Sequence, residues 1–289
     1  MRFQVEHKTT FTYAEAVDLA CHMVHLLPRA LPHQTVISRA IVAEPTPARQ
    51  SQGIDHFGNE VNWLFLDQAH PHFTITLHAE VEVAFPAPPD PDSTPPWEQV
   101  ATAREGGPAQ WQAAEFTFAS PMVAADRDVA VYVAKSFPPG RPILVGLIDL
   151  LARIRTDFTF QAGVTTIATP VGRVMAQRAG VCQDFTHLMI SGLRSLGLPA
   201  RYVSGYIRTR PPPGQVRRRG ADQSHAWVGC WLGPAFGWVD VDPTNNLIVS
   251  DEHVVLGWGR DYGDLSPVRG VILGGGAHRL DVSVDLLAV

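Results

Sequence analysis

Cysteine is scarce in this sequence, which has only three, Cys21, Cys182 and Cys230, among 289 residues. Three widely separated thiols cannot build the disulfide framework of a small secreted domain. No two of them have the CxxC spacing of a structural zinc site. This scarcity excludes disulfide-stabilised and zinc-stabilised small domains, and it leaves the role of each free thiol as the question to answer.

Long apolar runs are also missing. The first residues, MRFQVEH, lack the apolar core of a signal peptide. The sequence contains no run of about 18 apolar residues, the length that a helix needs to span a bilayer. The formal net charge of −5 disfavours a general nucleic-acid binder. We therefore expect a cytoplasmic protein that has neither nucleic-acid nor membrane partners, and the sequence leaves its oligomeric state open.

Alternating apolar and polar residues characterise the first 85 positions. The runs at 36–43 and 60–66 are rich in β-forming residues, the run at 73–83 has the period of two that is typical of strands, and turn residues separate them. We therefore predict an N-terminal β-sandwich-like domain or open barrel over residues 1–120. Its last part, 86–114, is rich in proline and is predicted to be a linker or a long surface loop.

Helical and strand patterns are mixed in the remaining sequence, which indicates an α+β second domain over residues 121–289. Helices are predicted at 126–135, 142–156 and 171–179, and a strand at 201–207. The segment 208–220 combines prolines with three consecutive arginines. It is either a solvated loop tip or a mobile basic lip over a cleft that favours acidic groups.

The stretch around Cys182 predicts a helix that begins at this thiol. Apolar residues follow with helical spacing until Gly197 and Pro199 stop the pattern, at Phe185, Leu188, Met189, Gly192, Leu193 and Leu196. At a helix start, unpaired amide groups and the dipole favour a thiolate and can hold an oxyanion. On position alone, a small buried hydrophobe is the simpler interpretation of Cys182.

Residues 224–232 and 238–242 predict a β-hairpin. A four-residue turn at 234–237 pairs residue 233 with residue 238, and places Asp242 opposite Gly229. Because side chains alternate along a strand, this register puts His225 and Asp242 on the same face. Both residues also lie at the end of the hairpin that is far from the turn.

Cys182, His225 and Asp242 offer one group for each role in nucleophilic catalysis by a thiol. A thiolate nucleophile needs a base for its proton, and the imidazole needs an acceptor that fixes its tautomer. Asp240 has the same parity as Asp242 and is the rival acceptor, but it lies nearer the turn. We therefore favour Asp242 as the orienting carboxylate.

Four motifs, GVCQDF, LRSLGLPARYVSGY, SHAW and WVDVDPTNN, resemble the transglutaminase-like superfamily of papain-fold cysteine enzymes. VEHKTTFTY, DHFGNEV, GRDYGDLSPVRG and GGGAHRLDVSV resemble its bacterial members with an N-terminal β domain. The resemblance implies a helix bearing Cys182 packed on an antiparallel sheet. It also implies that Cys182 is the nucleophile, His225 the general base and acid, and Asp242 the orienting carboxylate.

The implied reaction is acyl transfer from a peptide or isopeptide amide, through a thioester, to water or to an amine. We expect an amidase or peptidase ahead of a cross-linking protein-glutamine gamma-glutamyltransferase, with a protein or peptide as substrate. No cofactor is expected, and no acidic loop has EF-hand-like spacing, so we predict no metal. The alternative from another class is a non-catalytic binding or scaffolding module on the same fold.

Other polar residues near these motifs have two interpretations each. Gln183 and Trp227 are candidate oxyanion donors, although Trp227 is equally well a core residue. Asp261 and Tyr262, in the polar segment 260–264, either line the cleft or belong to a salt-bridged turn. Three further residues are left out of catalysis: Asp184 as a helix-stabilising carboxylate, His187 because it points away from Cys182, and Cys230 because it occupies the opposite strand face from His225.

Overall fold

Two antiparallel sheets, each with its own apolar core, organise the chain in a computed structural model that describes residues 1–102, 107–209 and 222–289. The mixed α and β composition confirms the predicted α+β fold class. The predicted basic segment at 208–220 lies almost entirely outside the described residues. No helix among the described residues is long and apolar enough to cross a membrane.

The first sheet is built on a 23-residue strand, β1, which pairs with β5 along its first half and with β4 near its end. Alternation explains the packing, because residues such as Phe73, Ile75 and Leu77 point inward and are fully buried. The first five strands are β1 (Arg2–Val24), β2 (Gln34–Glu44), β3 (Arg49–Ile54), β4 (Glu60–Leu66) and β5 (His70–Val83).

Part of the predicted linker at 86–114 is helical. The structure forms α1 (Trp97–Thr102) and α2 (Pro108–Ala114), and buries Val100 and Ala113 in the core of the second sheet. The prediction differs from the structure because proline is common in extended linkers but also occurs in the first turn of helices. Pro108 instead occupies the first turn of α2, where the missing amide hydrogen costs no helical bond.

The second sheet has the strand order β11-β10-β9-β8-β12, and four further helices contribute buried residues to its core. The helices lie at the predicted positions, and the last of them, α6, is buried from Asp184 to Arg194. The elements are α3 (Arg127–Ala134), α4 (Ile143–Asp157), β6 (Thr159–Phe160), α5 (Val171–Gln177), β7 (Ala179–Gly180), α6 (Cys182–Ser195), β8 (Ala200–Ile207), β9 (Gln223–Trp231), β10 (Trp238–Asp242), β11 (Leu247–Ile248) and β12 (His253–Gly259).

The chain end returns to the first sheet. Strands β13 (Val268–Gly274) and β14 (His278–Ala288) both pair with β1, and Val284 and Leu286 enter the first core. The sheet pairing therefore differs from the predicted division, which assigned all of 121–289 to the second domain. Apolar alternation at 280–286 predicts a strand, but it carries no information about a pairing partner more than 250 residues away.

The β9–β10 hairpin has the predicted parity but a different register. Trp238 pairs with Trp231 and Asp240 with Gly229, so the register is shifted by two residues from the predicted one. The Leu232 amide donates to the Gly237 carbonyl at 2.9 Å, which leaves a four-residue turn at 233–236. Gly233 has a positive φ of 97° and therefore leaves the strand one residue earlier than predicted.

Candidate active site

Cys182 is the first residue of α6, and the carboxylate of Asp184, two residues later, fixes this helix start. Val181 has extended backbone, and its amide donates to Oδ2 of Asp184 at 2.8 Å. The Thr165 hydroxyl donates to the same oxygen at 2.7 Å. Asp184 therefore stabilises the helix start, as expected. The amide groups of the first helical turn, Cys182 included, have no helical carbonyl to bond.

His225 and Asp242 meet at the open end of the hairpin. The distance from His225 Nε2 to Asp242 Oδ2 is 2.7 Å, and both side chains are buried. With the observed register, Asp242 follows the last paired residue of β10 and lies beside the Trp227 position, one strand step from His225. Because Asp242 occupies Nε2, the second ring nitrogen, Nδ1, is left for the Cys182 thiol.

Electrostatics favour an ionised His225–Asp242 pair. Burial by itself lowers the pKa of His225, but hydrogen bonds to Asp242 and Cys182 outweigh burial and raise that pKa to about 10. Burial likewise raises the pKa of Asp242, whereas the bonds from His225 and His253 hold it well below its ordinary value. The raised pKa of His225 and the lowered pKa of Asp242 both indicate that the imidazolium and the carboxylate stabilise each other.

Asp242 has further partners that the sequence analysis did not identify. The amides of Thr244 and Asn245 donate to Oδ1, at 2.9 and 3.2 Å, and the Asn245 side chain donates to Oδ2 at 2.7 Å. His253 Nε2 lies 3.5 Å from Oδ2. Asn245 is recognisable in the sequence as a turn residue three positions after Asp242. His253 has no local signal, because only the pairing of β12 with β8 brings it there.

The rival carboxylate, Asp240, has different partners. Its Oδ2 accepts the indole N–H of Trp227 at 2.9 Å, and Arg201 lies 3.8 Å from its Oδ1. Trp227 is fully buried and its single N–H is committed to Asp240. Trp227 is therefore a core residue and not an oxyanion donor, which decides between the two interpretations of this residue.

The remaining cleft candidates differ in their surroundings. The Gln183 side-chain amide donates to the Ile167 carbonyl at 3.2 Å, beside the helix start. Asp261 is buried and accepts from the amides of Met122 and Gly263. Its carboxylate therefore holds the turn at 260–264 together and does not line the cleft. Tyr262 is half-buried and packs on the second core, and it stays a candidate for the cleft wall.

His187 and Cys230, which the sequence analysis left out of catalysis, are both buried in the second core region. His187 is buried, and its Nε2 accepts the Tyr262 amide at 3.2 Å, while burial lowers its pKa to about 4. Cys230 is buried in the second core, where burial raises its pKa far above the ordinary value. Cys21 is exposed. Among the three thiols, Cys182 is the one beside an imidazole.

One set of potential metal ligands occurs among the described residues. The ligating atoms of His225, Asp242 and His253 lie within 4.8 Å of one another, and all three side chains are buried. Both histidines approach Asp242 through Nε2. A metal ion held by these atoms would replace the proton between His225 and Asp242, so metal binding and the hydrogen bond exclude each other.

Comparison with known proteins identifies the family of the chain. Residues 147–243, which contain Cys182, His225 and Asp242, match the model of the transglutaminase-like superfamily. The chain belongs to this superfamily of cysteine enzymes. Residues 3–82 match the bacterial transglutaminase-like N-terminal region, which places the chain among the bacterial members with that additional region.

Relatives of known sequence or structure extend the comparison. An uncharacterized protein of Mycobacterium tuberculosis is 40% identical over 294 residues, covering 99% of this chain and 92% of the relative. A protein-glutamine gamma-glutamyltransferase of Pseudomonas aeruginosa is 40% identical over 68 residues, 23% of this chain and 10% of its own length. A Cytophaga hutchinsonii crystal structure, named a "putative cysteine protease", superposes with a TM-score of 0.78 at 20% identity, covering all of this chain and 91% of its own. The last similarity establishes the fold.

Proposed function

We propose that the protein is a cysteine-dependent acyl-transfer enzyme that acts on peptide or isopeptide amides. The observation that carries the proposal is the 2.7 Å bond from His225 Nε2 to Asp242, which leaves the other ring nitrogen for Cys182. A nucleophile, a base and an orienting carboxylate thus occur in the order that thiol catalysis requires. Membership of a superfamily of cysteine enzymes supports it.

In the proposed reaction, the Cys182 sulfur attacks the amide carbonyl carbon and His225 protonates the departing nitrogen. The C–N bond breaks and a thioester forms. Water or an amine then attacks the thioester carbonyl, and His225 accepts the proton of the attacking group. The C–S bond breaks, which releases the product and regenerates the Cys182 thiolate. The Cys182 amide, in the first turn of α6, is the proposed donor to the oxyanion, and Gln183 is the neighbouring side-chain donor. Asp242 holds the imidazole orientation.

Hydrolysis is the proposed main outcome, with a protein or peptide as substrate. The structural neighbour from Cytophaga hutchinsonii is named for protease activity, which supports this choice. Transamidation is the second candidate, and the 68-residue similarity to a protein-glutamine gamma-glutamyltransferase favours it. Peptide cleavage and incorporation of a fluorescent amine into a glutamine-containing protein, measured in parallel, distinguish the two outcomes.

Replacement of the nucleophile tests the proposal. Cys182→Ala is expected to abolish turnover of a peptide library and labelling by an active-site thiol probe. Cys21→Ala is the matched control, because this thiol is exposed and lies in the first sheet. Turnover by Cys182→Ala at the wild-type rate would exclude the mechanism.

If the protein is a non-catalytic module on this fold, Cys182 is expected to react as an ordinary thiol does. In the proposed enzyme, His225 accepts the thiol proton of Cys182, so His225→Gln is expected to slow the alkylation of Cys182 by iodoacetamide. In a non-catalytic module, the two proteins are expected to react at the same rate. The rate of Cys182 alkylation in wild type and His225→Gln, followed by peptide mass spectrometry, separates the enzyme from the module.

A further inference from the structure

A second pocket, distinct from the Cys182 site, lies between the first sheet's loops and the β8–β10–β12 surface. Its volume is about 890 Å³, within the range of small-molecule sites. Neither Cys182 nor His225 is among the described residues that line it. Its walls are mostly aromatic or apolar and come from both halves of the molecule, at Phe57, Phe85, Phe116, Phe236, Trp238 and Trp258.

A column of alternating guanidinium and indole groups forms one side of this pocket. The Arg29 guanidinium lies 3.5 Å from the ring centroid of Trp258. Arg201 lies 3.9 Å from Trp258 and 4.2 Å from Trp238, so it is stacked between two indoles. Stacking covers the faces of Arg201 and leaves the edge of its guanidinium, where the N–H donors lie, for polar partners.

The cations of the column are only partly compensated. Arg201 is 8% exposed, and its Nε has no hydrogen-bond partner among the described residues. The nearest carboxylate, Asp240, is 3.8 Å from Nη2 and already accepts from the Trp227 indole. Glu115, the other acidic residue of the lining, is paired with His56 at 2.8 Å. Arg29 is better compensated, because its Nη1 donates to the Phe57 carbonyl and the Asn59 side chain, and Asp55 and Glu60 interact with its charge. Arg201 is therefore the cation of the column that has an unpaired N–H group among the described residues.

His33 is a second residue of the pocket that has a buried nitrogen without a hydrogen-bond partner among the described residues. This nitrogen is Nε2 of the imidazole. Buried donors without acceptors are unfavourable, and a guanidinium edge matches the two oxygens of a carboxylate. The apolar walls would in turn accept a hydrocarbon or aromatic body.

We propose that this pocket is a binding site for a carboxylate carried on an apolar body, with Arg201 as the anion-binding residue and Arg29 as the outer cation of the column. Two sources share this chemistry: the free C-terminus of a peptide that ends in an apolar residue, and an internal acidic residue beside an apolar one. The site is independent of Cys182 chemistry, so it stands or falls separately from the proposed function.

Binding of two probes tests the site with the full-length Cys182→Ala protein, which removes turnover. The first probe is N-acetylphenylalanine, with N-acetylphenylalaninamide as the control that lacks the charge. The second is the blocked dipeptide acetyl-Phe-Glu-amide, with acetyl-Phe-Gln-amide as its control. Isothermal titration is expected to show that at least one acid binds about tenfold more tightly than its amide. Equal affinity of acid and amide in both pairs would overturn the proposal.

A matched pair of variants locates the binding. Ala235 is exposed at the hairpin turn and lines the pocket. Ala235→Glu adds a repelling carboxylate, whereas Ala235→Gln adds the same bulk without charge. The Glu variant is expected to bind the acid about fivefold to tenfold more weakly than the Gln variant, with the difference decreasing at high salt. Indistinguishable affinities of the two variants would place the ligand elsewhere and overturn the proposal.

Arg201→Gln completes the test by removing the central cation. The variant is expected to lose the preference for the acid over the amide, while its circular dichroism spectrum and unfolding midpoint show whether it is folded. If it does not fold, Arg29→Gln replaces it, because Arg29 is less buried and lies at the end of the column. A folded variant that keeps the full preference for the acid would contradict the role of the column.

Discussion

His253 approaches the same carboxylate oxygen as His225: its Nε2 lies 3.5 Å from Oδ2 of Asp242, and the imidazole is 1% exposed. Asp242 is therefore shared by two histidines that come from different strands. The ring of His253 also packs edge-to-face on Trp227, with 5.2 Å between the ring centroids. His253 is thus placed to hold Asp242 in the orientation that His225 requires.

A positioning role for His253 predicts a selective effect on turnover. His253→Phe keeps the ring packing on Trp227 but removes the donor to Asp242, so kcat is expected to fall about threefold to tenfold with little change in KM. His253→Gln can still donate to Asp242 and is expected to retain most of the activity. A Phe variant with unchanged kcat would show that the contact is only structural.

The choice of Asp242 over Asp240 predicts unequal substitutions. Asp242→Asn removes the charge that orients and stabilises the His225 imidazolium, and turnover is expected to fall by about 10² or more. Asp240→Asn leaves the His225 pair intact and is expected to stay within a few-fold of wild type. Steady-state rates of both folded variants check this prediction. A larger loss at Asp240 than at Asp242 would contradict it.

The raised pKa of His225 predicts how stability depends on pH. The folded-state pKa of about 10 lies above the ordinary value of 6.5, so the stabilisation is complete below pH 6.5 and is lost as the pH rises through about 10. The free energy of unfolding is expected to decrease by up to about 1.4 kcal/mol per pH unit in this window. Denaturant titrations from pH 6.5 to 9.5 measure the slope.

The control for this pH dependence is His225→Gln, which removes the titrating group but keeps a polar side chain. Its stability is expected to vary less over the same pH range than that of the wild type. Equal slopes for the two proteins would assign the pH dependence to other groups.

Close packing of α6 on α3 predicts an unusual effect of a glycine substitution. A Cβ at Gly192 would lie 2.2 Å from Cγ2 of Val133, which is far too close. Gly192→Ala is therefore expected to destabilise the protein by about 1–3 kcal/mol, although alanine in a helix normally stabilises. Val133→Ala in the same chain removes the two γ-methyl contacts and leaves only the Cβ of residue 133, at 2.7 Å, so the clash is reduced. The double variant is therefore expected to lose less stability than the sum of the single changes.

Replacement of Arg194, near the end of α6, is expected to lower the free energy of unfolding strongly. Its guanidinium donates to the carbonyls of Phe116, Ala200 and Arg260, and it is 8% exposed. Arg194→Leu leaves these buried carbonyls without donors and is expected to cost about 3 kcal/mol or more. Chemical denaturation measures the loss, and Arg173→Leu, on α5, is the control. A loss below about 1 kcal/mol would contradict the importance of these bonds.

Much of the second domain could be predicted from local patterns. Helical spacing after Cys182 identified α6, because a buried helix leaves a period of 3.6 in the sequence. The parity of the hairpin put His225 and Asp242 on one face, because side chains alternate. The exact register was not predictable, since it depended on the positive φ of Gly233, and several turns of the same length fit the sequence.

Local sequence alone determined the elements and the chemical groups of this protein: a helix that begins at Cys182, a hairpin with His225 and Asp242 on one face, and strands at both ends. Only the tertiary structure decided which distant elements meet. It brought β14 to β1, His253 to Asp242, and Arg201 between two indoles. Periodicity encodes which face of an element is buried, whereas the partner of that face depends on packing summed over the whole chain.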